Sequence, residues 1–221
     1  VHTPSYQEKG DGGGMKGFSR IVNGQEALPH SFYTMLLLQK QGEWRWAGCG
    51  ATLVSSCHVI TAAHCMENRI IPVEGIFVNA HNPFQGNLQG SRYIPFHFSE
   101  IKSVDVHPNF NGATNQADIA IIHMQQCLQV SDFPPALIPR DDAQYTTSSQ
   151  SEVKMQVMGF GSVSDSVNVP AETLREAMVP FITRQDCKDY YEADVLPDMV
   201  CAGFVETGGA DACQGEDTID L

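Results

Sequence analysis

The stretch Thr61-Ala62-Ala63-His64-Cys65 sets a histidine beside a cysteine within a run of small residues. A histidine can accept and return a proton near neutral pH, because its ordinary pKa is about 6.5. The neighbouring cysteine is a candidate for a disulfide. A single histidine is more often structural or solvent-exposed, so this stretch indicates catalysis only in combination with other segments.

A second segment, Ala117-Asp118-Ile119-Ala120-Ile121-Ile122, presents a carboxylate at the mouth of an apolar strand. Burying a charge is costly unless the charge is hydrogen-bonded. Such an aspartate can hold a histidine ring in one tautomer and stabilise the imidazolium that forms when the ring takes a proton. Taken alone, the segment is equally consistent with a turn aspartate at the start of a strand.

Two further segments complete the set. Ser19-Arg20-Ile21-Val22-Asn23-Gly24 places a basic residue directly before an apolar pair, after a glycine-rich arm, which favours proteolytic cleavage behind Arg20. The loop Gly208-Gly209-Ala210-Asp211-Ala212-Cys213-Gln214-Gly215 joins a carboxylate to glycines that allow close backbone approach. Taken alone, the first is equally consistent with the start of an ordinary strand. The alternative for the second is a surface turn.

The sequence pattern after residue 20 predicts β-strands. Short β-branched and aromatic runs alternate with turn residues, without long amphipathic helices, as is typical of an antiparallel barrel or sandwich. The runs are 31–38, 51–55, 58–61, 76–79, 101–106, 119–124, 152–159 and 177–183.

In this order the four segments resemble the chymotrypsin-like serine peptidase family, and its trypsin-like branch most closely. The resemblance runs from Ile21 to about Gly215. Further blocks support it: Trp46-Ala47-Gly48-Cys49-Gly50, His107-Pro108-Asn109-Phe110, Met158-Gly159-Phe160-Gly161, in which Phe160 replaces a family tryptophan, and Met199-Val200-Cys201-Ala202-Gly203. The resemblance implies an all-β fold of two antiparallel six-stranded barrels, the second incomplete at the C-terminus.

The resemblance also implies roles for the candidate residues. His64 would be the general base and acid, and Asp118 the carboxylate that orients it. Gly215 would supply one N–H of the oxyanion hole. Asp211 matches the carboxylate at the base of the primary specificity pocket, which selects Arg or Lys before the cleaved bond.

Cleavage after Arg20 would free the Ile21 amine, which in the family folds inward and shapes the active site. Residues 1–20 are therefore expected to be a propeptide, and the chain a zymogen. Residues 21–221 would form the peptidase domain, with the first barrel at 21–130, a proline-rich connector at 131–150 and the partial second barrel at 151–221.

The seven cysteines indicate an oxidising compartment and hence secretion. None of the spacings that zinc sites use is present, so no metal is expected. The resemblance implies the disulfides Cys49–Cys65 and Cys187–Cys201. Cys57 and Cys127 lie outside the common trypsin set, and we expect them to pair with each other. That leaves Cys213, whose family partner would lie further downstream.

The family pattern breaks after Gly215. Where the family has Asp-Ser-Gly-Gly-Pro, this chain reads Glu216-Asp217-Thr218-Ile219-Asp220-Leu221. Aligned without a gap, Asp217 occupies the position of the nucleophile, and a carboxylate cannot attack a peptide as an alkoxide does. With a one-residue insertion Thr218 would take that position, but its methyl group would crowd the site. The chain as written is predicted to lack useful peptidase activity.

Three interpretations follow. The chain is a truncated product of an active trypsin-like protease, or a catalytically inactive homologue that binds substrates or inhibitors, or a non-enzymatic interaction protein built on the first barrel. We favour the first, because Arg20, Ile21, His64, Asp118 and Asp211 are all retained.

Composition excludes several other classes. The net charge of −13 argues against a nucleic-acid partner, and no run approaches the roughly 20 apolar residues of a membrane span. Residues 78–90, where some trypsins bind calcium, contain no Asp or Glu. We expect no cofactor, and as partners protein or peptide substrates, an activating protease and protease inhibitors, with the protein a monomer.

Overall fold

A computed structural model of the protein describes residues 24–29, 31–32, 35–41, 43–67, 71–79, 81–82, 97–138, 154–160, 171–191, 195–204 and 219–220. Its strands are β1 Gln25–Glu26, β2 Met35–Gln41, β3 Glu43–Ser55, β4 His58–Thr61, β5 Val73–Val78, β6 His97–Val106, β7 Ala120–Met124, β8 Lys154–Gly159, β9 Arg175–Ile182, β10 Cys201–Ala202 and β11 Ile219–Asp220. A short 3-10 helix covers Ala63–Cys65, and one α-helix, α1, covers Arg184–Tyr191.

Six of these strands form a closed antiparallel barrel in the order β2-β3-β4-β7-β6-β5. Inward and outward residues alternate along β4 and β7, as period-2 geometry requires when one face of a sheet is buried. Val59, Ile76 and Ile122 are completely buried in the barrel core. Each such side chain contributes roughly 1.5–3 kcal/mol by leaving water, so burial of the apolar face selects this arrangement.

The register between β4 and β7 positions the site. Thr61, the last residue of β4, pairs with Ala120, the first residue of β7. The two strands are antiparallel, so the chain leaving Thr61 and the chain arriving at Ala120 meet at the same end of the barrel. His64 follows Thr61 closely and Asp118 precedes Ala120 closely, which brings the two candidate residues to one place.

The remaining strands form a second antiparallel sheet in the order β1-β9-β8-β11, with β10 also paired to β9. Its core includes Met155, Val157, Val179 and Phe181. Within the described residues this sheet does not close. The all-β expectation of one complete barrel and a second, incomplete one is therefore confirmed.

The placement of β1 differs from the sequence-based division, which assigned residues 21–130 to the first barrel. Gln25 and Glu26 pair instead with Glu176 and Arg175 of β9 in the second sheet. Hydrogen bonds from the Ala27 amide to the Leu174 carbonyl and from the Arg175 guanidinium to the Gly24 carbonyl hold the segment there. A strand of two residues carries no periodicity that reveals its partner.

Helix α1 was not anticipated from the pattern of strands. Thr183 caps its first turn, because its hydroxyl accepts the Asp186 amide at 3.2 Å. Cys187 is fully buried in the helix and bonded to Cys201. Among the residues that the structure describes, neither helix has the length and apolar character that a membrane crossing needs.

The structure contains the three disulfides that the sequence leads us to expect. They join Cys49 to Cys65, Cys57 to Cys127 and Cys187 to Cys201, with Cα–Cα distances of 6.2, 4.4 and 6.3 Å. The second ties the turn between β3 and β4 to the segment after β7. Cys213 lies outside the described residues.

Opening the Cys57–Cys127 disulfide is expected to destabilise the protein more than opening Cys49–Cys65. The bridged cysteines are separated by 70 and 16 residues respectively, and a longer loop restricts the unfolded chain more. Paired serine substitutions should lower the free energy of unfolding by about 4 and about 3 kcal/mol. Urea unfolding without reductant measures both, and the reverse order would contradict this account.

Candidate active site

His64 stands on a short turn that the core holds in place. The turn leaves β4 and forms the 3-10 helix Ala63–Cys65, in which Ala63 and Cys65 are fully buried. Cys65 is bonded to Cys49 in β3, and the Thr61 hydroxyl donates to the Gly50 carbonyl at 2.8 Å. These contacts on both sides fix the backbone from which the imidazole projects.

Asp118 stands at the end of an unusual loop. Asn115 and Ala117 have φ angles of 52° and 51°, in the left-handed region that residues other than glycine rarely adopt. The Ile119 amide donates to the Ala117 carbonyl at 2.8 Å, so the chain turns sharply around Asp118 before it enters β7. This turn directs the carboxylate towards His64.

Both oxygens of Asp118 accept hydrogen bonds from His64. The ring Nδ1 lies 2.7 Å from Oδ2, and the backbone amide of His64 donates to Oδ1 at 2.8 Å. An ionised carboxylate can only accept, so the proton lies on Nδ1. Nε2 is then the ring atom that can take a proton from a substrate or nucleophile. Its neighbour at 3.5 Å is the Cys65 sulfur, a weak partner.

The electrostatics favour an ionised Asp118. Burial raises the pKa of Asp118, but the hydrogen bonds from the His64 ring and backbone amide, with the charge of His64, outweigh it and lower the pKa below its ordinary value. The side chain of Asp118 is 11% exposed and that of His64 is 36% exposed. The carboxylate is therefore shielded from water while the imidazole stays accessible to a reactant.

A further consequence is a defined loss of stability in acid. The pKa of Asp118 is lower in the folded protein than in the unfolded chain, so its stabilising effect is complete above the ordinary aspartate value of about 3.9. The effect is lost as the pH falls through the folded-state value. Urea unfolding at a series of pH values from 6 to 3 should therefore show a stability advantage of the wild type over Asp118→Asn that shrinks below about pH 4.

The exposed aspartate Asp132 supplies the control for this experiment. Asp132→Asn changes an exposed side chain and should be as stable as the wild type at pH 6. An advantage of the wild type over Asp118→Asn that persists unchanged to pH 3, or grows there, would contradict the assignment of a lowered pKa.

Metal binding by the residues around His64 does not fit the chemistry. Ligand atoms of Cys49, His64 and Cys65 lie within 4.8 Å of one another. The two sulfurs, however, form a disulfide, and the thiolate is the form of cysteine that binds metals. This group therefore leaves only one imidazole as a ligand, which does not make a metal site.

Of the sequence-derived site residues, the structure brings together His64 and Asp118. Arg20, Ile21, Asp211 and Gly215 lie outside the described residues, as does the substituted segment from Glu216 to Thr218. Asp198, which contacts the loop before Asp118, was missed. Nothing in the sequence around Asp198 indicates that contact, because its partner is a backbone amide 81 residues away.

The chain that carries this pair is similar to known proteins. A family model described as Trypsin matches residues 21–216. Coagulation factor XII of Sus scrofa is 30% identical over 213 residues, covering 91% of this chain and 32% of that relative. The same protein of Rattus norvegicus is 31% identical over 204 residues, covering 89% and 32%. Transmembrane protease serine 5 of Homo sapiens is 28% identical over 211 residues, covering 90% and 41%. The chain thus spans about a third of the length of the factor XII relatives.

Proposed function

The chain belongs to the trypsin family of serine proteases, and from this premise we propose that the protein is a trypsin-like serine endopeptidase that cleaves protein substrates after Arg or Lys. The observation that carries the proposal is the pairing of His64 Nδ1 with Asp118 Oδ2 at 2.7 Å, with the second oxygen held by the His64 amide. This geometry leaves Nε2 as the base of acyl transfer.

The pair would act first as a base and then as an acid. His64 Nε2 takes the proton from a serine hydroxyl as its oxygen bonds to the carbonyl carbon of the substrate, and Asp118 stabilises the resulting imidazolium. The carbonyl oxygen becomes an oxyanion, which the N–H of Gly215 would stabilise. His64 then gives its proton to the leaving amine, which departs as the acyl-enzyme forms. Water repeats the sequence and releases the acid product.

The proposed specificity and activation depend on two motifs, one before His64 and one after Asp118 in the sequence. The carboxylate of Asp211 would bind the cationic side chain of Arg or Lys before the cleaved bond. Cleavage after Arg20 would convert the zymogen to its active form by freeing Ile21. Both roles are implied by the resemblance of these motifs to those of the trypsin family.

The segment directly after Gly215 does not supply the serine that this mechanism uses. The residues after Gly215 are Glu216, Asp217 and Thr218, and none of them is a serine. Removal of a triad serine typically lowers kcat by about 10⁶-fold. The activity would therefore reside in a form of the protein that carries the family's serine.

Three disulfides support secretion, because such bonds persist in oxidising compartments. We propose that the protein acts outside the cell as a monomer. An activating protease and protease inhibitors would be its partners, together with its protein substrates.

A second candidate is a non-catalytic homologue that binds substrates or inhibitors. The observation in its favour is Asp217 at the position of the nucleophile. The retained His64–Asp118 pair speaks against it, because a binding protein has no need of a positioned base.

The test is peptide hydrolysis by the protein isolated from its native source. It would be treated with a protease that cleaves after Arg20 and assayed with peptides that differ only in the residue before the cleaved bond. Appearance of activity on Arg and Lys peptides with the new Ile21 terminus supports the proposal. Cleavage at Arg20 without activity on any peptide favours the non-catalytic homologue.

A further inference from the structure

A carboxylate from the second half of the chain contacts the loop that carries Asp118. The backbone amide of Ala117 donates to Oδ2 of Asp198 at 2.5 Å, although the two residues are 81 positions apart. Asp198 lies between α1 and β10, whereas Ala117 precedes β7 of the closed barrel. This hydrogen bond therefore connects the two halves of the molecule at the residue that directly precedes Asp118.

The loop at Ala117 requires a stabilising partner. Its φ of 51° lies in the left-handed region, where the Cβ of an alanine approaches its own backbone closely. Asparagine and aspartate offset this conformation with local side-chain hydrogen bonds, and glycine avoids the steric conflict, but alanine can do neither. A charged acceptor on the Ala117 amide supplies the interaction that alanine itself lacks, because hydrogen bonds to ionised groups are the stronger ones.

Asp198 is itself held in position by its surroundings. The Arg184 guanidinium donates to the Pro197 carbonyl, and the Met199 amide donates to the Leu196 carbonyl at 3.0 Å. The chain then continues to Cys201, which is bonded to the fully buried Cys187. The acceptor thus comes from a turn fixed on both sides.

We propose that Asp198 is a positioning residue for the His64–Asp118 pair. By holding the Ala117 amide it keeps the left-handed turn that aims the Asp118 carboxylate at the imidazole. The geometry of the pair in the closed barrel thereby depends on a residue of the other half of the molecule. An effect of Asp198 on catalysis rests on the proposed function. The hydrogen bond itself and its effect on the geometry of the His64–Asp118 pair are independent of that function.

The proton between His64 Nδ1 and Asp118 Oδ2 provides a direct readout. In proton NMR spectra such a proton resonates far downfield of the amide region, and the signal needs neither a nucleophile nor a substrate. Its loss in His64→Gln assigns it. In Asp198→Ala we expect this resonance to shift upfield and broaden as the carboxylate moves away from the ring. In an active form of the protein, the same change should lower kcat by about five- to tenfold.

Three variants separate positioning from general destabilisation. Asp198→Asn keeps an oxygen that can accept the Ala117 amide, so the resonance should stay near its wild-type position. Asp189→Ala removes an exposed carboxylate of α1 that bonds Gln185, and should change nothing. Ala117→Gly combined with Asp198→Ala should restore the resonance, because glycine adopts the positive φ without steric conflict.

An unchanged resonance in folded Asp198→Ala would overturn the proposal, as would failure of Ala117→Gly to restore it. Where Asp198→Ala does not fold, Asp198→Glu replaces it, since glutamate keeps the charge but displaces the carboxylate by one methylene. An upfield shift in Asp198→Glu supports the proposal, and an unchanged resonance overturns it. A sensitive resonance in a form that carries the family's serine and is cleaved after Arg20, yet has no peptidase activity, would refute the proposed function and leave this inference standing.

Discussion

Replacing His64 with alanine is expected to lower kcat of the activated protein by about 10⁶-fold, the loss seen when a triad of this type loses its base. In the proposed mechanism the imidazole takes the proton of the nucleophile and returns it to the leaving amine. Its neighbour Asp118 acts through it, so Asp118→Asn should cost about 10⁴-fold in kcat by favouring the wrong tautomer. Steady-state hydrolysis of an Arg peptide, by the form that carries the family's serine and is cleaved after Arg20, measures both.

His107 offers a matched control for this experiment. It is an exposed histidine whose Nδ1 accepts the Asn109 amide in the loop after β6. His107→Ala should leave kcat unchanged. Activity of His64→Ala within tenfold of the wild type would exclude His64 as the base, and an equal loss in His107→Ala would indicate a general effect on folding.

The second large effect is expected at Asp211. Replacing it with serine should reduce kcat/KM for Arg and Lys peptides by about 10³-fold, because the cation of the substrate would enter the pocket without a partner. Peptides with an apolar residue at the same position should lose far less. The ratio of kcat/KM values for the two kinds of peptide is the quantity to measure.

Asp132→Ser, at an exposed site, is the control for this substitution. An unchanged preference for Arg and Lys in Asp211→Ser would mean that another group binds the cation. A parallel loss on all peptides would assign Asp211 to folding of the site and not to selection of the substrate.

The fold was predictable where apolar residues alternate. Residues 58–61 were predicted as a strand and form β4 with the same bounds, and 119–124 differ from β7 by one residue. Strand β3 begins well before the predicted 51–55, because its first half mixes charged residues, tryptophan and glycine. Strand β1 is too short for any period, and its partner β9 is set by tertiary contacts that no local pattern encodes.

The site was predictable where a motif carries the residue. His64 and Asp118 each stand in a recognisable segment, and the pairing of β4 with β7 brings them together. Two features depend on three-dimensional structure alone. The left-handed conformation at Ala117 could not be predicted, because alanine rarely adopts it. A glycine or asparagine at this position would have indicated it. Asp198 accepts a hydrogen bond from the backbone amide of Ala117. Every residue except proline has such an amide, so the residue at position 117 does not indicate the contact.

The structure also indicates why the pair is well defined although His64 is partly exposed. On one side, the Cys49–Cys65 disulfide and the buried side chains of Ala63 and Cys65 fix the backbone turn that carries His64. On the other side, Asp118 offers both oxygens to the same residue. An imidazole held in this way loses little rotational freedom when it meets a reactant, as the proposed catalytic role requires.

The most direct test of a serine protease is covalent labelling of its nucleophile. The protein from its native source, cleaved after Arg20, would be treated with a fluorophosphonate and examined by intact mass and peptide mapping. We expect one adduct, on a serine, that disappears in His64→Ala because the hydroxyl then lacks its base. A folded and correctly cleaved protein that takes up no label would contradict the account and identify the protein as a non-catalytic member of its family.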